Sequence, residues 1–162
     1  MTDFGRLIGV LAESGVEYVI VGGLAATIHG SSRLTQDIDV VYGRADANLE
    51  RLAQALRPVR PYLRGAPPDL PFEWSAATLR RGLNFTLTTT VGDIDLLGEI
   101  TGGGGYEALL AHATVVTLFG HQCHCLDLPW LIRTKRAAGR VKDLEVIAEL
   151  EALLEEGRHG TG

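Results

Sequence analysis

Asp37 and Asp39 stand two residues apart in Asp37-Ile-Asp-Val-Val-Tyr42, a run whose β-branched and aromatic residues predict a strand. Side chains alternate across a strand, so both carboxylates share one face and Ile38 takes the other. Like charges this close repel unless a cation lies between them. A hard divalent ion such as Mg²⁺, which prefers oxygen ligands and keeps positions open for phosphate oxygens, meets that need. Later in the chain, Asp93-Ile-Asp-Leu-Leu97 predicts a second strand, in which Asp95, or Asp93 on the same face, supplies a third acid. Three acids converging in a sheet are costly as unpaired charges but suit a two-metal site: one ion activates an attacking hydroxyl and the other binds a triphosphate.

Such a site also needs a backbone that phosphates can approach. Val19-Ile-Val-Gly-Gly-Leu-Ala-Ala-Thr-Ile-His29 reads as strand, glycine turn and short helix, placed just before the acidic strand. Lacking a Cβ, Gly22 and Gly23 admit an anion, and N–H groups at the start of the Leu24 helix can point at it.

The elements that must hold these groups follow from periodicity and punctuation. Phe4, Leu7, Ile8, Val10 and Leu11 predict a helix over about residues 3–14, followed by a central apolar strand at 18–21. A helix at 24–29 ends at Gly30, and Ser31-Ser32-Arg33 forms a polar loop. Asp46 is the expected N-cap of a helix that stops near Pro58. The five prolines from Pro58 to Pro71, with Arg60 and Arg64 among them, predict a surface loop. Ser75 caps a short helix to Arg81, and the strand at 83–91 turns at Gly92 into the Asp93–Asp95 strand as a hairpin. Gly102 to Gly105 lack the Lys-Ser/Thr of a phosphate loop and read as a flexible connector. A helix at 106–112, a hairpin of 115–118 with 122–126, and a helix started by Asp127 and Pro129 lead to a last amphipathic helix at about 141–154. The expectation is one domain over residues 1–156 with a disordered tail at 157–162. Its fold class is α/β or α+β, closing on a C-terminal helical pair.

Composition narrows the class further. The 162 residues carry no stretch near the ~20 apolar residues of a membrane span, and Met1-Thr-Asp-Phe is acidic where a signal peptide is basic, which predicts a cytoplasmic protein. Cys123 and Cys125 are too close for a disulfide framework and argue for a reducing compartment; with His121 they share a strand face, which cannot wrap a tetrahedral zinc ion. The net charge of −5 hides a basic middle (Arg44, Arg51, Arg57, Arg60, Arg64, Arg80 and Arg81) and an acidic end (Glu145, Glu149, Glu151, Glu155 and Glu156).

Taken together, Gly22-Gly23 and its helix, Arg33-Leu-Thr-Gln-Asp-Ile-Asp39, Gly92-Asp-Ile-Asp-Leu-Leu97 and Lys135-Arg-Ala-Ala-Gly-Arg-Val-Lys-Asp143 resemble the small nucleotidyltransferases of the DNA polymerase β superfamily. The bacterial branch related to AbiEii-type toxins of toxin–antitoxin systems is the most similar. The resemblance implies a palm-like mixed sheet flanked by helices. It also implies Mg²⁺-dependent transfer of NMP, with two ions, from an NTP to a hydroxyl of RNA such as tRNA, of protein or of a small molecule. Gly22, Gly23, Ser31 and Ser32 match the phosphate-side turn and loop, with Arg33 beside them as a substrate contact or as the ion-pair partner of Asp37. Asp37 and Asp39 match the paired metal ligands, and Asp95 the third acid that helps activate the acceptor, with Asp93 as the alternate. Lys135, Arg140 and Lys142 match a basic cluster that holds the triphosphate or an RNA backbone. Many relatives have Gly-Ser where this chain has Gly22-Gly23, which leaves phosphate contact to the backbone or to Ser31 and Ser32. The alternative is a non-catalytic module of the same fold that binds nucleotide or a partner. A third reading is a purely structural interaction protein, whose acidic last helix presents its exposed face to a cognate antitoxin.

Overall fold

Tyr18, Val19, Ile20 and Val21 are buried without alternation, as a strand covered on both faces must be. In this computed structural model, which describes residues 1–160 and the side chains of residues 1–158, they form β1 (Tyr18–Val21), preceded by α1 (Phe4–Glu13). The chain continues through α2 (Gly22–Ile28), β2 (Asp37–Tyr42) and α3 (Asp46–Leu56). A single 3-10 turn (Arg57–Val59) then leads to β3 (Tyr62–Leu63) and α4 (Ala76–Arg81). After the hairpin of β4 (Phe85–Thr89) and β5 (Gly92–Leu97) comes a small ribbon of β6 (Glu99–Ile100) and β7 (Gly104–Gly105). The short helix α5 (Tyr106–Leu110), the hairpin β8 (Ala113–Leu118) with β9 (His121–Leu126), and the helices α6 (Leu128–Ala138) and α7 (Val141–Gly160) complete it.

Seven strands form one mixed sheet in the order β3-β4-β5-β2-β1-β9-β8. β1 is antiparallel to β2 and parallel to β9, and β2 is parallel to β5. The last pairing decides the site, because its register sets Asp37 beside Asp93 and Asp39 beside Asp95. Neighbouring strands lie ~4.8 Å apart, so four carboxylates crowd one face. The residues between them, Ile38 and Ile94, point the other way and are fully buried in the core. Leu7, Ile8 and Leu11 of α1 and Leu49, Leu52 and Leu56 of α3 belong to that core. α6 packs on α7 and on α2, bringing the end of the chain over the glycine turn. Among the described residues no helix is long and apolar enough to cross a membrane.

Several elements depart from the expectation for physical reasons. The glycines begin α2 rather than preceding it, with Val21 as an extended N-cap. Asp46 is the first residue of α3, whose N-cap is Ala45, and its carboxylate pairs with Arg80 at 2.9 Å instead of capping. The proline-rich segment contributes an edge strand, β3, whose Tyr62 hydroxyl donates to the Leu70 carbonyl and closes the loop behind it. The glycine run is packed rather than loose: a Cβ on Gly102 would come within 2.5 Å of the Ala137 side chain of α6. α7 extends to Gly160, past its expected end, so residues 157–160 are helical, while residues 161 and 162 of the expected tail lie outside the described residues.

Asn48, a polar residue on an otherwise apolar helix face, is 1 % exposed. Its Oδ1 accepts from the Glu17 N–H at 2.7 Å, and its Nδ2 donates to the carbonyls of Glu17 (3.0 Å) and Gly43 (2.8 Å). The side chain therefore supplements the one backbone bond, Gly43 N–H to the Glu17 carbonyl, that remains where β1 begins and β2 ends. Asn48→Ala strands the Glu17 N–H and the Gly43 carbonyl, while the Glu17 carbonyl keeps the Gly43 N–H at 3.0 Å, and urea denaturation is expected to show about 2 kcal/mol less stability at unchanged m.

Candidate active site

Asp37, Asp39 and Asp95 each bring one carboxylate oxygen within 4.8 Å of the others. They reach this convergence from two parallel strands, so the sheet itself holds the donors. Asp39 Oδ1 is buried and has no hydrogen-bond partner. A buried carboxylate oxygen left in that state is expensive unless something binds it, and an all-carboxylate donor set suits a hard divalent cation. Asp93 lies on the same face but outside this group.

Asp93 instead faces a residue that the sequence placed only in the proline-rich surface loop. Arg64, which follows β3, turns its guanidinium into the acids: Nη2 donates to Asp95 Oδ1 at 2.8 Å, Nη1 lies 3.7 Å from Asp37 Oδ2, and Nε lies 3.4 Å from Asp93 Oδ2. Nothing in the local sequence marks it, because the proline-rich segment meets the acids only through the β3–β4–β5 pairing.

The glycine turn touches the same acids. Gly22 has φ +65°, a conformation that side chains other than glycine rarely adopt, and a Cβ there would stand 2.2 Å from Asp39 Oδ2. At Gly23 a Cβ would stand 2.8 Å from Thr35 Oγ1, so the volume a serine would fill is taken by Thr35. Ser31 and Ser32 donate their hydroxyls to Glu149 of α7, at 2.5 and 2.9 Å, so both are committed within the chain. Arg33 pairs with Glu145 at 3.5 Å and not with Asp37, because α7 lays its acidic residues over the loop. Two acids of the chain's end, Glu145 and Glu149, thus clamp this loop, while Glu151 binds Arg136 of α6.

Lys135, Arg140 and Lys142 do gather at the site, but two of them share an unforeseen acid. Asp143, 2 % exposed, accepts from Arg140 Nε at 2.7 Å and lies 3.9 Å from Lys135 Nζ. Two cavities, of about 380 and 330 Å³, meet at Gly22, Asp39, Lys135, Arg140 and Asp143. The first extends along Leu97, Ile100 and Leu131; the second takes in Gly23, Arg33, Thr35, Asp37, Asp95 and Lys142. Of the other basic residues of the middle, Arg44 stacks on Tyr42 and donates to the Leu79 carbonyl, and Arg57 donates to that of Trp74. Cys123 and Cys125 are buried free thiols, the second 3.9 Å from His29 Nε2.

No family model and no curated protein matches the chain. Solved structures do. A lincosamide antibiotic adenylyltransferase, LnuA, with lincomycin bound, superposes with TM-score 0.60 at 13 % identity over 94 % of this chain and 98 % of that one. The fold is a nucleotidyltransferase fold. ANT(2")-Ia in complex with adenylyl-2"-tobramycin gives TM-score 0.53 at 14 % identity over 97 % of this chain and 95 % of that one. An antigenic nucleotidyltransferase-like protein from Paracoccidioides brasiliensis gives 0.52 at 17 % over 96 % and 78 %.

Within this nucleotidyltransferase fold the acids are electrostatically unsettled. Burial pushes the Asp39 carboxyl up to about 7; Asp37 and Asp95 push the same way, and Lys135 pulls back. Asp37 is raised too, by burial first and by Asp95 next. Burial would raise Asp143 as well, but the Arg140 hydrogen bonds, with the Arg140 and Lys135 charges, hold it below the usual carboxylate range. Burial lowers Lys135, against the pull of Asp143 and Asp39.

These shifts give a signed pH prediction. Asp39 takes up a proton on folding, so its contribution to stability is fully present below the unfolded carboxylate value and is lost as pH rises towards 7. A divalent ion must displace that proton. Mn²⁺ affinity of the protein is therefore expected to rise by up to about tenfold per pH unit between pH 5 and 7 and to level off above, as calorimetry at a series of pH values would show.

Proposed function

We propose that the protein is a Mg²⁺-dependent nucleotidyltransferase that moves a nucleoside monophosphate from an NTP to a hydroxyl acceptor. The observation that carries this reading is the convergence of Asp37, Asp39 and Asp95 where two cavities meet, one of them lined by the glycine turn and by cations. In the reaction the acceptor oxygen attacks the α-phosphorus, the bond to the β-phosphate oxygen breaks, and pyrophosphate leaves with that electron pair. Asp37 and Asp39 hold the cation, while Asp95 completes the donor set and draws the acceptor hydroxyl's proton. Bound Mg²⁺, as two ions, supplies activation of that hydroxyl and neutralises the charge that grows on the leaving group. Lys135, Arg140 and Lys142 oppose the triphosphate charge in the second cavity, and Gly22 and Gly23 keep its wall free of side chains. Ser31, Ser32 and Arg33 shape the rim through Glu149 and Glu145.

The acceptor we favour is a small polyhydroxyl molecule. Two fold neighbours carry such compounds, lincomycin and an adenylylated tobramycin, and the basic middle is interrupted where Arg44 and Arg57 donate to backbone carbonyls and Arg80 pairs with Asp46. The test incubates the protein with Mg²⁺ and each α-labelled NTP in the presence of lincomycin, tobramycin, tRNA or cell extract. Label on a small molecule supports the reading in full. Label on tRNA or protein supports the reaction but moves the acceptor class towards the toxin branch, for which expression would arrest host growth unless a cognate antitoxin is present. No label transfer dependent on Asp37 and Asp39 overturns it. One observation favours a second reading, a non-catalytic nucleotide-binding module: Arg64 already pairs with Asp37, Asp93 and Asp95. Calorimetry would then show NTP binding without turnover.

A further inference from the structure

The Arg64 guanidinium lies against two of the three acids to which the proposed function gives a cation, Asp37 and Asp95, and against Asp93 beside them. It reaches Asp95 Oδ1 at 2.8 Å, Asp93 Oδ2 at 3.4 Å and Asp37 Oδ2 at 3.7 Å, with its side chain 28 % exposed. Mg²⁺ needs carboxylate oxygens at ~2.1 Å in a near-octahedral shell, so an ion bound to Asp37 and Asp95 and a guanidinium between them compete for one volume. They also repel as like charges.

The arginine is anchored at its backbone and through Nη2 of its head, but not through Nε. Its N–H donates to the Thr86 carbonyl at 3.0 Å, and Nη2 donates to the Leu87 carbonyl at 2.7 Å as well as to Asp95. Nε, by contrast, is buried, faces Asp93 and makes no hydrogen bond. A planar fork that matched its site would pair that donor. β3 is only two residues long and lies at the sheet edge, and Gly65 follows with φ +78° and open space around it. The side chain is 28 % exposed, and release of its head breaks the Nη2 bonds to the Leu87 carbonyl and to Asp95 but no backbone pairing of the central strands.

We propose that Arg64 is a built-in stand-in for the divalent cation: it holds Asp37, Asp93 and Asp95 in the ion-free protein and leaves them when the ion binds. This inference rests on the nucleotidyltransferase reading and deepens it by naming what regulates its metal site. The exchange makes the acids tolerable before substrate arrives, and it makes ion binding weak until the guanidinium is displaced. Asp93 is then the residue that parks Arg64 beside the ligand set, which explains a fourth acid on that face.

Calorimetric titration of Mn²⁺ alone, without nucleotide, into the full chain and into Arg64→Gln and Asp39→Asn tests the exchange. Arg64→Gln is expected to bind Mn²⁺ at least about tenfold more tightly, and Asp39→Asn to lose that binding. Equal or weaker binding by Arg64→Gln overturns the exchange and leaves the metal site standing. No Mn²⁺ binding by any of the three overturns the exchange and the metal-site reading together. A second measurement needs no variant: in ¹⁵N spectra of the unaltered protein, the Arg64 Nε–H signal is expected to shift when Mg²⁺ saturates the site. An unmoved signal overturns the exchange even if Arg64→Gln fails to fold.

Discussion

Asp39→Asn is expected to lower kcat/KM for nucleotidyl transfer by about 10³-fold or more while making the ion-free protein more stable at pH 8. The two effects have opposite signs for one reason. Asp39 Oδ1 is buried with no partner, and its carboxyl is pushed up to about 7 by burial, Asp37 and Asp95. At pH 8 the folded protein must therefore hold that charge against its environment, whereas an amide of the same shape carries none. A gain of about 1–2 kcal/mol is expected once the charge is removed, and thermal melts in EDTA would read it. A structural acid would behave the other way, losing stability on substitution. Radiolabel transfer from the preferred NTP, measured beside the melts, separates the two accounts. Stability that falls along with activity would mean that Asp39 serves the fold rather than an ion.

Gly22→Ala is expected to be the most damaging substitution outside the acids. Gly22 lies at φ +65°, which costs a residue with a Cβ ~1–2 kcal/mol on its own. The new methyl would also stand 2.2 Å from Asp39 Oδ2 and 3.0 Å from its Cβ and Cγ, so Asp39 must move. Displacing a reacting group by about 1 Å costs on the order of 10²-fold in rate, even when the group is still present. The expected result is a loss of about 2–4 kcal/mol in urea denaturation together with a fall of at least about 10²-fold in transfer. Gly23→Ala provides the contrast. Its φ lies outside the left-handed region, and its methyl would press on the hydroxyl of Thr35, 2.8 Å away, rather than on a ligand. A variant at Gly22 that kept full activity would show that this contact has no part in placing Asp39.

Both predictions turn on contacts between elements, and the division between what local sequence carries and what it does not follows from that. Alternation placed Asp37 and Asp39 on one face and Ile38 and Ile94 in the core, because a period of two is a property of the strand itself. Capping by Ser75 and Asp127 was readable for the same reason, since the donor lies three residues from its acceptor. Asp46 shows the limit of that reading: a carboxylate at a helix start can satisfy a distant arginine as well as a cap, and here Arg80 takes it.

By itself, the sequence determined the alternation of charged and apolar residues along the strands, the glycine turn ahead of the acids, most helices and the fold class. The tertiary structure alone decided the parallel register that sets Asp39 beside Asp95, and with it which acids converge. It also decided where the long-range partners fall. Arg64 enters the site from a proline-rich edge, Asp143 binds Arg140 and lies near Lys135, and Glu149 takes the hydroxyls of Ser31 and Ser32. Such pairings are invisible in sequence because a charge is solvated equally well by many partners. Only the packing of β3 on β4, and of α7 across α6 and the 31–33 loop, brings one of them within reach.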